Sequence, residues 1–90
     1  MKYTVLWSAT AEQSLAKMWA DHRIRADVAT AANAIDSRLR ANPEEAGESR
    51  EHTWRILLVP PLGVKFRVLS DDRTVQVMYV WQFTTPPRKS

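Results

Sequence analysis

Basic side chains are spaced through the most apolar stretch of the chain, residues 54–83, which contains few acidic ones. They are Arg55, Lys65, Arg67 and Arg73. An arginine offers a planar fork of donors that matches a phosphate, and a lysine offers a compact positive charge that can also take part in proton transfer. The residue types in this stretch therefore predict a surface that binds a polyanion.

The face on which each cation lies decides whether the cations can act together. Alternation along a strand puts Lys65 and Arg67 on one face of the strand that contains them. Arg55 belongs to the preceding strand, and it shares their face only if the two strands pair in a suitable register. In that register three cations cluster on a sheet face that no helix covers; the other interpretation is a set of ordinary solvated residues on the polar face of a half-buried sheet.

Two further residues are candidates for acid–base chemistry or for stacking. His52 lies close to Arg50 and Arg55 in the sequence, and a histidine near cations is a candidate general base at neutral pH. The alternative for His52 is a loop residue with no catalytic task. Tyr79 precedes Trp81 in an alternating strand, where the two rings could form a platform for nucleobases or pack in the core.

The composition argues against most cofactor and metal chemistry. The chain has no cysteine and only two histidines, so neither a thiolate zinc site nor an all-histidine metal site is expected. Its glycines, Gly47 and Gly63, are too few for a glycine-rich phosphate loop. A net charge of +3 and a pI near 9.7 permit a nucleic-acid partner. No cofactor and no metal are therefore predicted.

Length and hydropathy predict one domain and a cytoplasmic location. Ninety residues suffice for a single domain, which we assign to residues 1–84, with residues 85–90 as a flexible tail. The first residues lack an apolar region of signal-peptide length. No apolar run approaches the roughly 20 residues that span a bilayer. We therefore expect no membrane partner.

Two helices are predicted to follow a first strand at residues 2–7. Ser8 or Thr10 can cap the first helix, and Thr10 with Gln13 fits a capping box better; Asp27 is a candidate N-cap for the second. Their apolar stripes are Ala11, Leu15, Met18, Trp19 and His22 in the first helix and Val28, Ala31, Ala32, Ile35 and Leu39 in the second. Asn42 and Pro43 end the second helix, because a residue before proline is pushed out of the α region. The pair forms an αα-hairpin.

Three more strands are predicted after a polar loop at residues 43–53. They cover residues 54–59, 64–70 and 74–83, with a turn at Gly63 and another at residues 71–73. Tight turns between consecutive strands predict an antiparallel meander, which the first strand joins because a lone strand is not stable. The fold class is therefore α+β: a two-layer sandwich in the order β-α-α-β-β-β, with the αα-hairpin covering one face of the meander.

Several segments, taken with this element order, resemble the RelE/ParE toxin superfamily. They are GESR at 47–50, PPLGVKFRV at 60–68, DDRTV at 71–75 and VW at 80–81. The resemblance extends from residue 3 to about residue 83. It implies a bacterial toxin of a type II toxin–antitoxin module, of the kind associated with plasmid stabilization, whose cognate antitoxin wraps around it.

The resemblance implies two different mechanisms. RelE-like members cut messenger RNA on the ribosome without a metal ion, using basic and aromatic residues on the sheet. ParE-like members bind and poison DNA gyrase and have no nuclease chemistry. Lys65 or Arg67 matches an arginine on the third strand of RelE-like members, and Arg55 matches a basic residue on the second strand. With His52 and Tyr79, these residues make up the predicted catalytic set.

The end of the chain departs from the RelE-like pattern. RelE-like members usually carry further basic residues and a tyrosine or histidine beyond the fourth strand. Residues 82–90 contain neither tyrosine nor histidine, and their basic residues are Arg88 and Lys89. The ribosome-dependent endoribonuclease therefore has two alternatives, a non-enzymatic gyrase inhibitor and a degenerate toxin that only binds its antitoxin.

Overall fold

The structure is a computed structural model, which describes residues 2–49 and 54–83. Within those residues the elements are β1 (Thr4–Trp7), α1 (Ala9–Trp19), α2 (Arg25–Ala41), β2 (Glu48–Ser49), β3 (Trp54–Val59), β4 (Leu62–Leu69) and β5 (Thr74–Gln82). Single-turn 3-10 helices at Pro43–Glu45 and Ser70–Asp72 complete the order. None of the helices in these ranges has the length and apolar character needed to cross a membrane.

The strands form one five-stranded sheet in the order β1-β5-β4-β3-β2. Strands β3, β4 and β5 are the antiparallel meander, and β1 runs parallel to β5, with Val5 opposite Val75. The predicted α+β sandwich is therefore confirmed. The two-residue strand β2 lies within the predicted loop at residues 43–53 and pairs with β3 at the edge of the sheet.

Helix α1 is capped by one of the two predicted residues, whereas α2 begins before its predicted N-cap. Ser8 has an extended backbone, and its Oγ accepts a hydrogen bond from the Ala11 amide at 3.0 Å, so Ser8 and not Thr10 is the N-cap of α1. Helix α2 begins two residues before Asp27, after Ile24, which makes no side-chain cap bond. Asp27 lies in the first turn instead, where a negative charge stabilises the helix dipole.

The core lies between the helix pair and one face of the sheet. Its fully buried side chains include Ile35 and Leu39 from α2 and Phe66 from β4. Helix α1 packs mainly on β5, while α2 packs on β1, β3 and β4. The predicted stripe of α2 is buried at Val28, Ala31, Ile35 and Leu39. The helices thus cover one sheet face and leave the other open to solvent.

The β3–β4 turn is formed by Pro60 and Pro61, which are joined by a cis peptide bond. Gly63, predicted to make this turn, instead lies inside β4, opposite Trp81 of β5. A Cβ atom built on Gly63 would lie 2.5 Å from Cε2 of the Trp81 indole. A glycine is therefore needed here so that the indole can lie directly against the β4 backbone.

Candidate functional site on the open face of the sheet

The register between β3 and β4 separates the predicted cations. Lys65 is opposite Ile56, Arg67 is opposite Trp54, and Arg55 is opposite Phe66. Paired residues lie on the same face of a sheet, so Lys65 and Arg67 share a face with Trp54 and Ile56. Arg55 shares the other face with Phe66, which is fully buried under the helices.

Arg55 therefore does not belong to the predicted three-cation cluster. Its Nε donates to the carbonyl oxygen of Ala46 at 2.9 Å, and its Nη2 donates to that of Gly47 at 3.3 Å. Gly47 has a φ of +66°, and a Cβ atom there would clash with the carbonyl oxygen of Ile56. These contacts hold the segment that leads into β2, so the role of Arg55 in the structure is to tie this segment to β3.

Lys65 and Arg67 are organised around the Trp54 indole. Lys65 Nζ lies 5.1 Å from the centroid of the Trp54 ring, and the Arg67 guanidinium carbon lies 5.4 Å from it. Arg67 Nη2 also donates to Gln76 Oε1 at 2.9 Å, which links β4 to β5. Two positive charges are therefore held next to each other by an aromatic ring and a neutral amide.

Neither cation is neutralised within the described part of the chain. The ion pairs among residues 2–49 and 54–83 are Arg23–Asp21 and Arg40–Asp36, which lie in the helical half. Arg67 Nε is buried and has no hydrogen-bond acceptor among these residues. Unpaired buried donors are uncommon in folded proteins, so this N–H is available to an acceptor from outside these residues. The open face therefore offers positive charge and donors to an anion.

Tyr79 and Trp81 also lie on the open face. Tyr79 is opposite Lys65 and 51% exposed, and Trp81 is opposite Gly63. Of the two interpretations of these rings, packing in the core does not describe Tyr79. Leu6 and Leu58, at 52% and 54% exposure, extend the same surface. We refer below to Trp54, Lys65, Arg67, Gln76, Tyr79 and Trp81 together as the open-face cluster.

A β-bulge in β5 places Tyr79 on the face opposite to the one that strict alternation from Val77 predicts. Lys65 is opposite Tyr79 while the next residue of β4, Phe66, is opposite Val77, so Met78 is the extra residue. Without the bulge, Val77 and Tyr79 would lie on the same face. With it, Val77 is buried in the core and Tyr79 points to the open side.

Some predicted residues lie outside the described part of the chain, and some residues of the open-face cluster were not predicted. His52 lies outside the described residues, as do Arg88 and Lys89. Trp54 and Gln76 were not predicted as site residues. The strand register could have identified them, because it places Trp54 opposite Arg67 and Gln76 opposite Arg67 on the neighbouring strands. No group of three or more histidine or acidic side chains in the described ranges is arranged to hold a metal ion.

The open-face cluster combines two kinds of contact that suit single-stranded nucleic acid. Lys65 and Arg67 supply cationic donors for phosphate oxygens. Tyr79 and Trp81 supply ring faces on which bases can stack. A ligand that covered the exposed Leu6 and Leu58 on the same face would exclude water there, which strengthens electrostatic interactions.

No protein-family model matches the chain, and no curated protein sequence matches it. Several solved structures match it, however. The toxin–antitoxin complex RelBE2 from Mycobacterium tuberculosis matches with a TM-score of 0.73 at 22% identity, over 91% of this chain and 92% of that one. The chromosomal ParDE system from P. aeruginosa matches with a TM-score of 0.63 at 18% identity, over 92% and 98%. The isolated E. coli RelE toxin matches with a TM-score of 0.66 at 14% identity, over 92% and 86%. The RelE/ParE toxin fold predicted by the sequence resemblance is therefore confirmed.

Proposed function

We propose that this chain, which has the fold of the RelE/ParE toxin superfamily, is the toxin of a type II toxin–antitoxin module and cuts messenger RNA on the ribosome. The observation that carries the proposal is the pairing of Lys65 with Tyr79 on the open face, beside Arg67. This arrangement brings the phosphate-binding and base-stacking groups to one side of the sheet.

The chemistry proposed for this face is cleavage by the RNA itself. The 2′-oxygen of one nucleotide forms a bond to the adjacent phosphorus, and the bond from that phosphorus to the 5′-oxygen of the next nucleotide breaks. Lys65 and Arg67 stabilise the negative charge that develops on the phosphate oxygens. The proton of the 2′-hydroxyl passes to a general base, and the leaving 5′-oxygen takes up a proton. His52 and Tyr79 are the proposed acid–base groups, and Tyr79 is also placed to stack on a base.

A cognate antitoxin is the proposed protein partner. Two of the similar structures are of toxin–antitoxin systems, RelBE2 and ParDE. The open face of this chain has exposed apolar residues, Leu6 and Leu58, around cations that form no ion pair with any other described residue. An acidic and partly apolar segment of the antitoxin would complement it in charge and hydrophobicity.

Growth of cells that express the chain tests the proposal. Replacing Lys65 and Arg67 together by alanine should relieve growth arrest, because both phosphate contacts are lost. The matched control is Lys17→Ala with Arg38→Ala, which removes the same charge from exposed positions on the helices. Arrest that persists unchanged in the Lys65/Arg67 variant, with the variant folded by circular dichroism, would refute the assignment.

Gyrase inhibition is the second candidate, and the position of Arg55 favours it. Arg55 faces the helices, so one cation of the predicted catalytic set is missing from the open face. A ParE-like toxin needs no catalytic set. A supercoiling assay with purified gyrase distinguishes the two candidates: inhibition that survives loss of Lys65 and Arg67 supports the gyrase target, and unimpaired supercoiling excludes it.

A further inference from the structure

The bulge at Met78 determines which side chains of β5 face outward. In the part of β5 before the bulge, Val75 and Val77 are buried. In the part after it, Val80 is buried and Tyr79 is exposed. The alternation of β5 therefore shifts by one residue at Met78. If the bulge relaxed, Tyr79 and Val80 would exchange faces.

Ser8 contacts the bulge from the adjacent end of β1. The Ser8 amide donates to the carbonyl oxygen of Val77 at 2.8 Å, and Ser8 Oγ donates to that of Met78 at 2.7 Å. In a regular strand, successive carbonyl groups point to opposite sides, so only one of these two would face β1. Both are hydrogen-bonded by the same residue here.

The Ser8 hydroxyl serves two elements at once. Besides donating to Met78, its Oγ accepts from the Ala11 amide at 3.0 Å and so caps α1. A hydroxyl can do both because it carries one donor and two acceptor sites. The start of α1 and the bulge of β5 are therefore joined through one oxygen atom.

We propose that Ser8 is a positioning residue for the open-face cluster: by holding the Met78 bulge, it keeps Tyr79 beside Lys65. The effect of Ser8 on the bulge stands on the hydrogen bonds alone. Its effect on RNA cleavage rests on the function proposed above, because only there does Tyr79 act on a ligand.

Substitutions at Ser8 can separate the cap from the contact with the bulge. Aspartate is a good N-cap but accepts hydrogen bonds only, so Ser8→Asp keeps the Ala11 contact and loses the Met78 contact. Ser8→Ala loses both contacts, and Ser8→Thr keeps both. The three variants thus give different predictions for α1 and for β5.

Amide hydrogen exchange of the full chain reports on α1 and on β5 in one experiment. In Ser8→Asp we expect exchange at residues 77–80 to become about fivefold to tenfold faster, as loss of one hydrogen bond implies, with α1 unchanged. Ser8→Ala should accelerate both regions and Ser8→Thr neither. Wild-type exchange at residues 77–80 in Ser8→Asp would overturn the proposal, since a residue that acts only as a cap gives that result.

A shape-matched pair covers the case in which Ser8→Asp does not fold. Ser8→Thr and Ser8→Val differ only by a hydroxyl in place of a methyl group. The proposal expects faster exchange at residues 77–80 in the valine variant. Equal exchange in the two variants would overturn it.

Cleavage of ribosome-bound messenger RNA tests the functional consequence. We expect Ser8→Asp and Tyr79→Ala each to slow cleavage at least about tenfold, as the loss of a base-stacking contact implies, and Tyr79→Ala more than that where Tyr79 also transfers a proton. The double variant should be no slower than Tyr79→Ala. Additive losses would contradict action through Tyr79. If the wild type does not cleave RNA, the proposed function fails, while hydrogen exchange still decides the role of Ser8.

Discussion

At the scale of single residues, the fold constrains Arg67 more than it constrains Lys65. Both lie over the Trp54 ring, but Arg67 is also held by Gln76. A guanidinium fixed at one nitrogen presents its other donors in a defined direction, whereas an ammonium on a flexible stem acts as a point charge. Substituting lysine for Arg67 should therefore have a different effect from substituting arginine for Lys65.

Conservative substitutions test this difference. We expect Arg67→Lys to lower RNA cleavage about tenfold or more, because lysine cannot bond Gln76 and present a fork to phosphate at the same time. Lys65→Arg should retain most of the activity, since a positive charge remains over the same side of Trp54. Cleavage rates under identical salt measure both, and equal losses in the two variants would contradict the argument.

At the scale of elements, the shape of the open face depends on close contact between β4 and β5. The Trp81 indole lies against the β4 backbone at Gly63. Farther along the sheet, Arg67 bonds Gln76, and Lys65 is opposite Tyr79. The aromatic and cationic groups thus lie on a surface whose spacing is set by the strand pairing.

Gly63→Ala tests the contact with Trp81. The added methyl group would meet the indole at 2.5 Å, so we expect a loss of about 1–3 kcal/mol in the free energy of unfolding. In the Trp81→Ala background, the same substitution should cost clearly less. Urea unfolding of the four proteins gives the coupling, and a coupling near zero would contradict the proposed contact.

A second connection between elements depends on pH. Tyr3 before β1 and Ser70 after β4 both donate hydrogen bonds to Glu44 Oε1, at 3.0 Å and 2.8 Å. The bonds from Ser70 and Tyr3 lower the pKa of the Glu44 carboxyl from its ordinary value of 4.5. The bond to Glu44 raises the pKa of the Tyr3 hydroxyl above 10.0.

The lowered pKa of Glu44 predicts that its contribution to stability decreases in acid. A carboxyl whose pKa is lower in the folded state stabilises the fold above pH 4.5 and loses that contribution as pH falls through the folded pKa. We therefore expect the stability difference between wild type and Glu44→Gln to shrink from neutral pH toward pH 3. Urea unfolding across this range measures it; a difference that is constant or grows in acid would contradict the contact.

The position of Arg55 could have been predicted from the two prolines. A turn at Gly63 does not determine which residues of β3 and β4 are opposite each other. A two-residue turn at Pro60 and Pro61 pairs Val59 with Leu62, and each further step leads to Arg55 opposite Phe66. That register puts Arg55 on the face opposite Lys65. A turn of known length therefore contains the information that the strand pattern lacks.

The bulge in β5, in contrast, has no signal in the sequence. Bulges are often marked by glycine, but the extra residue is Met78, between Val77 and Tyr79. Straight alternation from Val75 and Val77 continues with Tyr79 and Trp81, whose rings are apolar enough for the core, so the hydrophobic pattern gives no sign of a shift. The outward position of Tyr79 follows instead from Ser8, which is 70 residues away from Met78 in the chain.

At the scale of the whole molecule, charge and coverage divide the protein into two sides. The helices cover one face of the sheet, and the ion pairs of the described residues lie within α2 (Arg40–Asp36) and in the connection between α1 and α2 (Arg23–Asp21). On the other face Lys65 and Arg67 have no carboxylate partner among residues 2–49 and 54–83, and they lie beside exposed aromatic and apolar groups. A two-sided molecule of this kind is suited to present one face to a polyanion.

The most direct test of the central claim is to map cleavage sites in messenger RNA during translation in vitro. With the wild-type chain we expect discrete cuts that require ribosomes, and at least about a hundredfold fewer with Lys65→Ala plus Arg67→Ala, because two charge-stabilising groups are removed. The Lys17→Ala plus Arg38→Ala control should cut like wild type. Equal cutting by the Lys65/Arg67 variant, or no cutting by the wild type, would contradict the claim that the open face is an RNA-cleaving site.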